Sequence, residues 1–99
     1  MIATDTIEQQ ARYLADYGRE MEPGIVKVYW FPAADEIRLV SLFADMPASE
    51  DGKLWPFYFR PSPEDGLTAW SAVAMIQPTE FGKLNLPKNW VAWEEAIEI

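Results

Sequence analysis

The chain has 99 residues, is 49% hydrophobic and 14% aromatic, and sets sixteen acids against eight bases for a net charge of −8. It holds no Cys and no His, which excludes thiol nucleophiles, Cys- or His-based zinc sites and every Ser-His-Asp or Cys-His arrangement. The acidic balance argues against nucleic-acid binding, which needs a basic stripe to displace counterions from phosphates, and against anionic membrane surfaces.

The length predicts a single domain, 1–99. A chain of this mass exposes about 5,700 Å² folded and about 16,000 Å² unfolded, enough for a modest core without disulfides or metal. No run approaches the ~18 apolar residues that a spanning helix needs. MIATDTIEQQ has neither a basic n-region nor an apolar h-region, so no signal peptide is expected and the reading is cytoplasmic.

In chain order, Asp5-Thr6-Ile7-Glu8 fits a capping box with Asp5 as the cap. Ile7, Ala11, Leu14, Gly18 and Met21 recur at helical spacing and form one apolar stripe, flanked by Tyr13 and Tyr17. The opposite face is charged, with Glu8–Arg12 and Arg12–Asp16 pairs at i, i+4. Pro23-Gly24 ends the helix. Two β-rich runs follow, Ile25 to Phe31 and Glu36 to Ala44, joined through Pro32-Ala33-Ala34-Asp35 as an antiparallel hairpin. Ile37, Leu39 and Phe43 share one side of the second run, with Arg38 on the other.

A polar loop, 46–53, leads into LWPFYFR, residues 54–60, where apolar side chains alternate onto both faces. Pro56 has no backbone donor, which predicts an edge strand or a bulge. PSPEDG is a turn signal. In LTAWSAVAMIQ, residues 67–77, Ala and Met favour helix, but the flanking Pro61, Pro63, Gly66 and Pro78 favour a buried strand, which is the preferred reading. Pro78-Thr79-Glu80-Phe81 reads as one helical turn closed by Gly82. The tail NWVAWEEAIEI reads as a short helix from an Asn89 cap or as an extended cover. The whole is an α+β domain: an N-terminal helix on a mainly antiparallel sheet of about four strands, with a short C-terminal cover. One helix covers one face of such a sheet. The second face of the aromatic strand therefore needs either the Trp90–Trp93 tail or another chain.

No motif carries a named reaction. Asp35-Glu36, Glu50-Asp51 and Glu64-Asp65 sit in predicted turns and Glu94-Glu95 on a solvated face, whereas acid–base work needs desolvated carboxylates. A calcium loop begun at Asp45 fails, with Pro47 at position 3 and Pro56 at position 12. Neither Gly52-Lys53 nor Gly82-Lys83 belongs to a P-loop, and no G-x-S-x-G or S-x-x-K surrounds a serine. Ser62 and Thr79 are common modification-type signals only. The aromatics Trp55, Phe57, Tyr58 and Phe59 lack the Lys and Arg of a base-stacking platform.

What remains is a distribution. Segments 1–24, 33–53 and 89–99 each carry −3 and 25–32 carries +1, while 54–88 is neutral. The acidic excess avoids the stretch richest in aromatics, as interface centres do; a core strand gives the same pattern. The leading expectation is a non-enzymatic protein-interaction module, homodimeric in one form, with Trp55, Tyr58, Arg60, Trp70, Phe81 and Trp90 as partner-binding candidates and no cofactor or metal. The alternative is an acidic inhibitor or immunity-type protein that binds a basic target. The third is a carboxylate-based enzyme resting on Glu80, Asp65, Tyr58 or Arg60.

Overall fold

The helix α1 (Ile7–Met21) starts where a side chain stands ready to bind an early amide. The computed structural model describes residues 6–61 and 63–99. The expected cap Asp5, and Ser62, lie outside them. Thr6 caps the helix instead: its Oγ1 accepts from Gln9 N at 3.1 Å, and Gln9 Oε1 accepts from Thr6 N at 2.8 Å, a capping box. Arg12 pairs with Glu8, whereas Asp16 pairs with Arg19 at i, i+3 rather than with Arg12. The buried stripe also differs from expectation. Gln10, Ala11 and Ala15 are buried, and Met21 is exposed past the sheet.

Five strands form one mixed sheet: β1 (Ile25–Trp30), β2 (Glu36–Phe43), β3 (Phe57–Phe59), β4 (Trp70–Ile76) and β5 (Ile97–Glu98), in spatial order β3-β4-β2-β1-β5. The β1–β2 hairpin is antiparallel, with Val28 opposite Ser41 and Trp30 opposite Leu39. The β3–β4 and β1–β5 pairs are also antiparallel. The β2–β4 pair is parallel, Leu39 beside Val73, because residues 44–69 carry the chain back to the starting end before β4 begins. Such a pair needs a crossover connection. Residues 70–76 are thus a strand, as the flanking prolines indicate. It lies between neighbours and is buried on much of both faces, which overrides the helix propensity of its alanines.

Register sorts the side chains. Val28, Trp30, Ile37 and Leu39 meet Ala11 and Ala15 of α1, with Leu67 and Ala69 closing that core. Gln10 is tied to the loop before β4: Thr68 N donates to Gln10 Oε1 and Gln10 Nε2 donates to Thr68 Oγ1, each at 2.9 Å. On the other face, Phe31, Val40, Leu42, Ala74 and Ile76 form a second core with Leu54 and Leu84. Residues 78–96 cover it. The single turn Pro78–Glu80 is 3-10, followed by Gly82 at φ +83°. A second 3-10 turn, Trp93–Glu95, stands where a terminal helix was one expectation, and its cap residue is Ala92. Asn89 is no cap; it takes φ +75°, and its carbonyl oxygen accepts from Arg38 Nη1 at 2.9 Å. No described helix is long and apolar enough to cross a membrane.

The tail therefore answers most of the second-face question. Phe31 lies 5.3 Å from Trp90 and 5.4 Å from Trp93, Phe81 lies 4.9 Å from Trp93, and Trp93 Nε1 donates to Leu84 O at 2.8 Å. Arg38 sits over the Trp90 ring while holding Glu36 at 2.6 Å. This cover stops short of β3.

Candidate functional site

β3 is one edge strand of the sheet and β5 the other, and among the described residues no strand pairs with the outer edge of β3. Phe57 stands opposite Val73 and Phe59 opposite Ser71, on the α1 side; Tyr58 stands opposite Ala72, on the tail side. α1 packs over β1 and β2, and neither it nor the tail covers these rings. Phe57 is 63% exposed, Tyr58 53% and Phe59 54%, with Trp55 at 66% and Trp70 at 47%. Large aromatics are usually found far more buried than this.

Three surface cavities border the same stretch. One of about 400 Å³ lies beneath the 46–53 loop and reaches Trp55, Phe57, Met75 and Glu80. One of about 490 Å³ runs beside α1, between it and Phe59 and Arg60, over Ser71, Val73 and Met75. The third, about 420 Å³, lies on the opposite face, between Trp55–Tyr58 and Asn85–Pro87. A rigid base supports the first. Asp51 Oδ1 accepts from Lys53 N at 3.1 Å, and Asp51 Oδ2 accepts from Trp55 Nε1 at 3.2 Å, which orients the exposed indole. Ser49 N donates to Glu80 Oε2 at 3.0 Å and ties the loop to the turn after β4. The Lys53 amide hydrogen bond is the main cause holding the Asp51 carboxyl below its ordinary value of 3.8; desolvation opposes it, and the weaker hydrogen bonds from Trp55 and Ser49 reinforce it.

Of the sequence-derived candidates, Trp55 and Tyr58 border one cavity beside β3, and Arg60 borders another on the opposite face. Trp70 is exposed at the start of β4, in register with Glu36. Phe81 and Trp90 pack into the second core and support the tail rather than the edge. Glu80, Tyr58 and Arg60, the enzyme candidates, border three different cavities, and the Asp65 side chain lies outside the described residues. The sequence alternation puts Phe57 and Phe59 on one face of the strand, and one helix covers one face of the sheet. Their role at the surface was missed because alternation gives the face of a residue and not how far a covering helix extends. Ser71 and Ser41, on the floor of the α1 groove, carried no signal at all. Among the described residues no three acids gather to hold a metal ion. No protein-family model, no curated protein and no solved structure matches this chain.

Proposed function

We propose that this protein is a non-enzymatic protein-interaction module that docks by strand addition on the open edge of β3. The observation that carries this reading is the run Phe57-Tyr58-Phe59: three consecutive aromatics, each more than half exposed, on an edge strand. An open edge offers a row of backbone donors and acceptors to another strand, and side-chain pockets beside it supply specificity. The partner that fits most simply is a second copy. Phe-Tyr-Phe reads the same in both directions, so antiparallel pairing about a two-fold axis at Tyr58 sets each Phe57 opposite the partner copy's Phe59. Aromatic cross-strand pairs of this kind contribute roughly 0.2–1 kcal/mol each, in the closed two-fold geometry commonest for soluble oligomers.

Solution molar mass by light scattering across a concentration series tests it. A dimer is expected, converted to monomer by Tyr58→Arg with an unchanged far-ultraviolet circular dichroism spectrum. A wild-type monomer at every concentration sinks the self-pairing form; a Tyr58→Arg protein that remains dimeric sinks the edge as the docking site.

One observation favours the acidic-inhibitor reading as second: Glu50, Asp51 and Glu80 border the same cavity as Trp55 and Phe57. Carboxylates beside aromatic faces suit a Lys or Arg side chain from a basic target. Binding of that kind weakens steeply with added salt, whereas pairing through the aromatic edge does not.

A further inference from the structure

The cavity beside α1 has a polarity that edge docking leaves unused. It lies on the α1 side of the sheet, over β4, and shares Phe59 alone with the Phe57-Tyr58-Phe59 docking edge. Its walls are apolar: Leu14 and Gly18 of α1, Leu39, Val73, Met75 and Phe59. At about 490 Å³ it falls within the ~300–1,000 Å³ of ordinary small-ligand sites.

One buried hydroxyl in it is unpaired, and one exposed cation stands at its rim. Ser71, on the floor, is 1% exposed and its Oγ has no hydrogen-bond partner among the described residues. A buried hydroxyl is normally paired. Arg60, on the rim, enters no ion pair or hydrogen bond among the described residues, although the chain carries twice as many acids as bases. The two lie at one end, since Phe59 is in register with Ser71 and Arg60 follows it. The other end approaches Ile25 and Glu22, where α1 finishes. Glu22 and the negative end of the helix dipole repel an anion there.

We infer that this groove binds a small amphipathic monocarboxylate, with its carboxylate at Arg60 and the Ser71 hydroxyl and its apolar body along α1 toward Met75. Arg is suited to a carboxylate, which its planar fork meets with two parallel donors. The orientation follows from the charges. An anion at the Arg60 end faces a cation and an unmet hydroxyl; at the Glu22 end it faces a carboxylate.

The test uses the full chain, labelled with ¹⁵N, and three probes of equal chain length below their aggregation limits: decanoate, decan-1-ol and decylamine. Nonspecific adsorption to a protein of net charge −8 favours the amine. The inferred site instead makes decanoate shift the amides of Leu14, Gly18 and Val73 saturably, with an affinity about tenfold above that of the amine, the size of one charge-assisted contact. Arg60→Gln then removes most of that advantage while decan-1-ol binding stays as it was, and Lys83→Gln, outside the groove, changes neither. Decylamine binding as tightly as decanoate, shifts centred on Trp55–Tyr58 instead of α1, or an Arg60→Gln protein that keeps the preference would each overturn the inference.

Discussion

A serine hydroxyl without a partner at the bottom of an apolar groove costs the fold free energy: burying a polar group unpaired typically loses about 1–3 kcal/mol. Ser71 is in that position. Ser71→Ala removes the hydroxyl and keeps the Cβ, so we expect it to raise the unfolding free energy by about 1 kcal/mol, read as a higher urea midpoint at unchanged slope; a lower midpoint would mean that the hydroxyl is paired in solution. Stability lost at one residue in this way is a common mark of a site kept for binding. Asp51 gives a second residue-scale expectation. Its pKa in the folded chain lies below the ordinary 3.8 because the Lys53 amide, then Trp55 Nε1 and Ser49 Oγ, bind the charged form. Its contribution is therefore complete above the unfolded value and is lost as pH falls through the folded one. Trp55 fluorescence in the folded protein should change with a midpoint below 3.8, and Asp51→Asn should abolish that transition. A midpoint above 3.8 would contradict the hydrogen bonding described here.

Among the elements, the turn from α1 into β1 leaves no room for a side chain at Gly24. A Cβ on Gly24 would lie 2.4 Å from Phe43 Cε2 and 2.8 Å from Phe43 Cζ, because β1 and β2 pair Ile25 with Phe43 directly beyond the turn. Ring and backbone cannot both stay in place, so Gly24→Ala should cost about 1–3 kcal/mol, the range for overpacking, measured by thermal or urea unfolding; a neutral result would show that Phe43 moves freely off the turn. At this scale much was legible. α1, the β1–β2 hairpin, the edge placement of the strand after Pro56 and the turn closed by Gly82 each follow from local chemistry: helical spacing, β-branched runs, a missing amide and a glycine at positive φ. The five-strand count and the parallel β2–β4 pair were not legible. Residues 44–69 reverse the chain through polar loop and turn residues, and nothing in their composition says at which end of β2 the next strand begins. The terminal cover was legible as an alternative only. Asn89 suits a cap and a left-handed turn equally, and the Arg38 guanidinium, 51 positions away, meets its carbonyl.

At the scale of the whole molecule, charge and apolar surface are separated. The acidic excess lies in α1, the 33–53 segment and the tail, while 54–88 is neutral and contributes the exposed edge strand. The sequence showed that separation, but could not show whether the aromatics were core or surface, since both lack charge. Self-pairing at β3 brings together two chains of −8 each, and the strand Phe57–Phe59 itself holds no charged residue. Long-range repulsion between like-charged bodies falls as added salt shortens the screening length from ~30 Å at 0.01 M to ~8 Å at 0.15 M, whereas burial of aromatic surface changes little over that range. Dimerisation through β3 should therefore tighten as salt rises, and sedimentation equilibrium at several ionic strengths reads this directly. Capture of a basic target through Glu50, Asp51 and Glu80 has the opposite sign, because screening then weakens an attraction. A dimer that loosened with salt would place complementary charges at the contact and move the interface away from Phe57-Tyr58-Phe59, toward a surface where Lys83 or Lys88 of one copy meets the acids of the other.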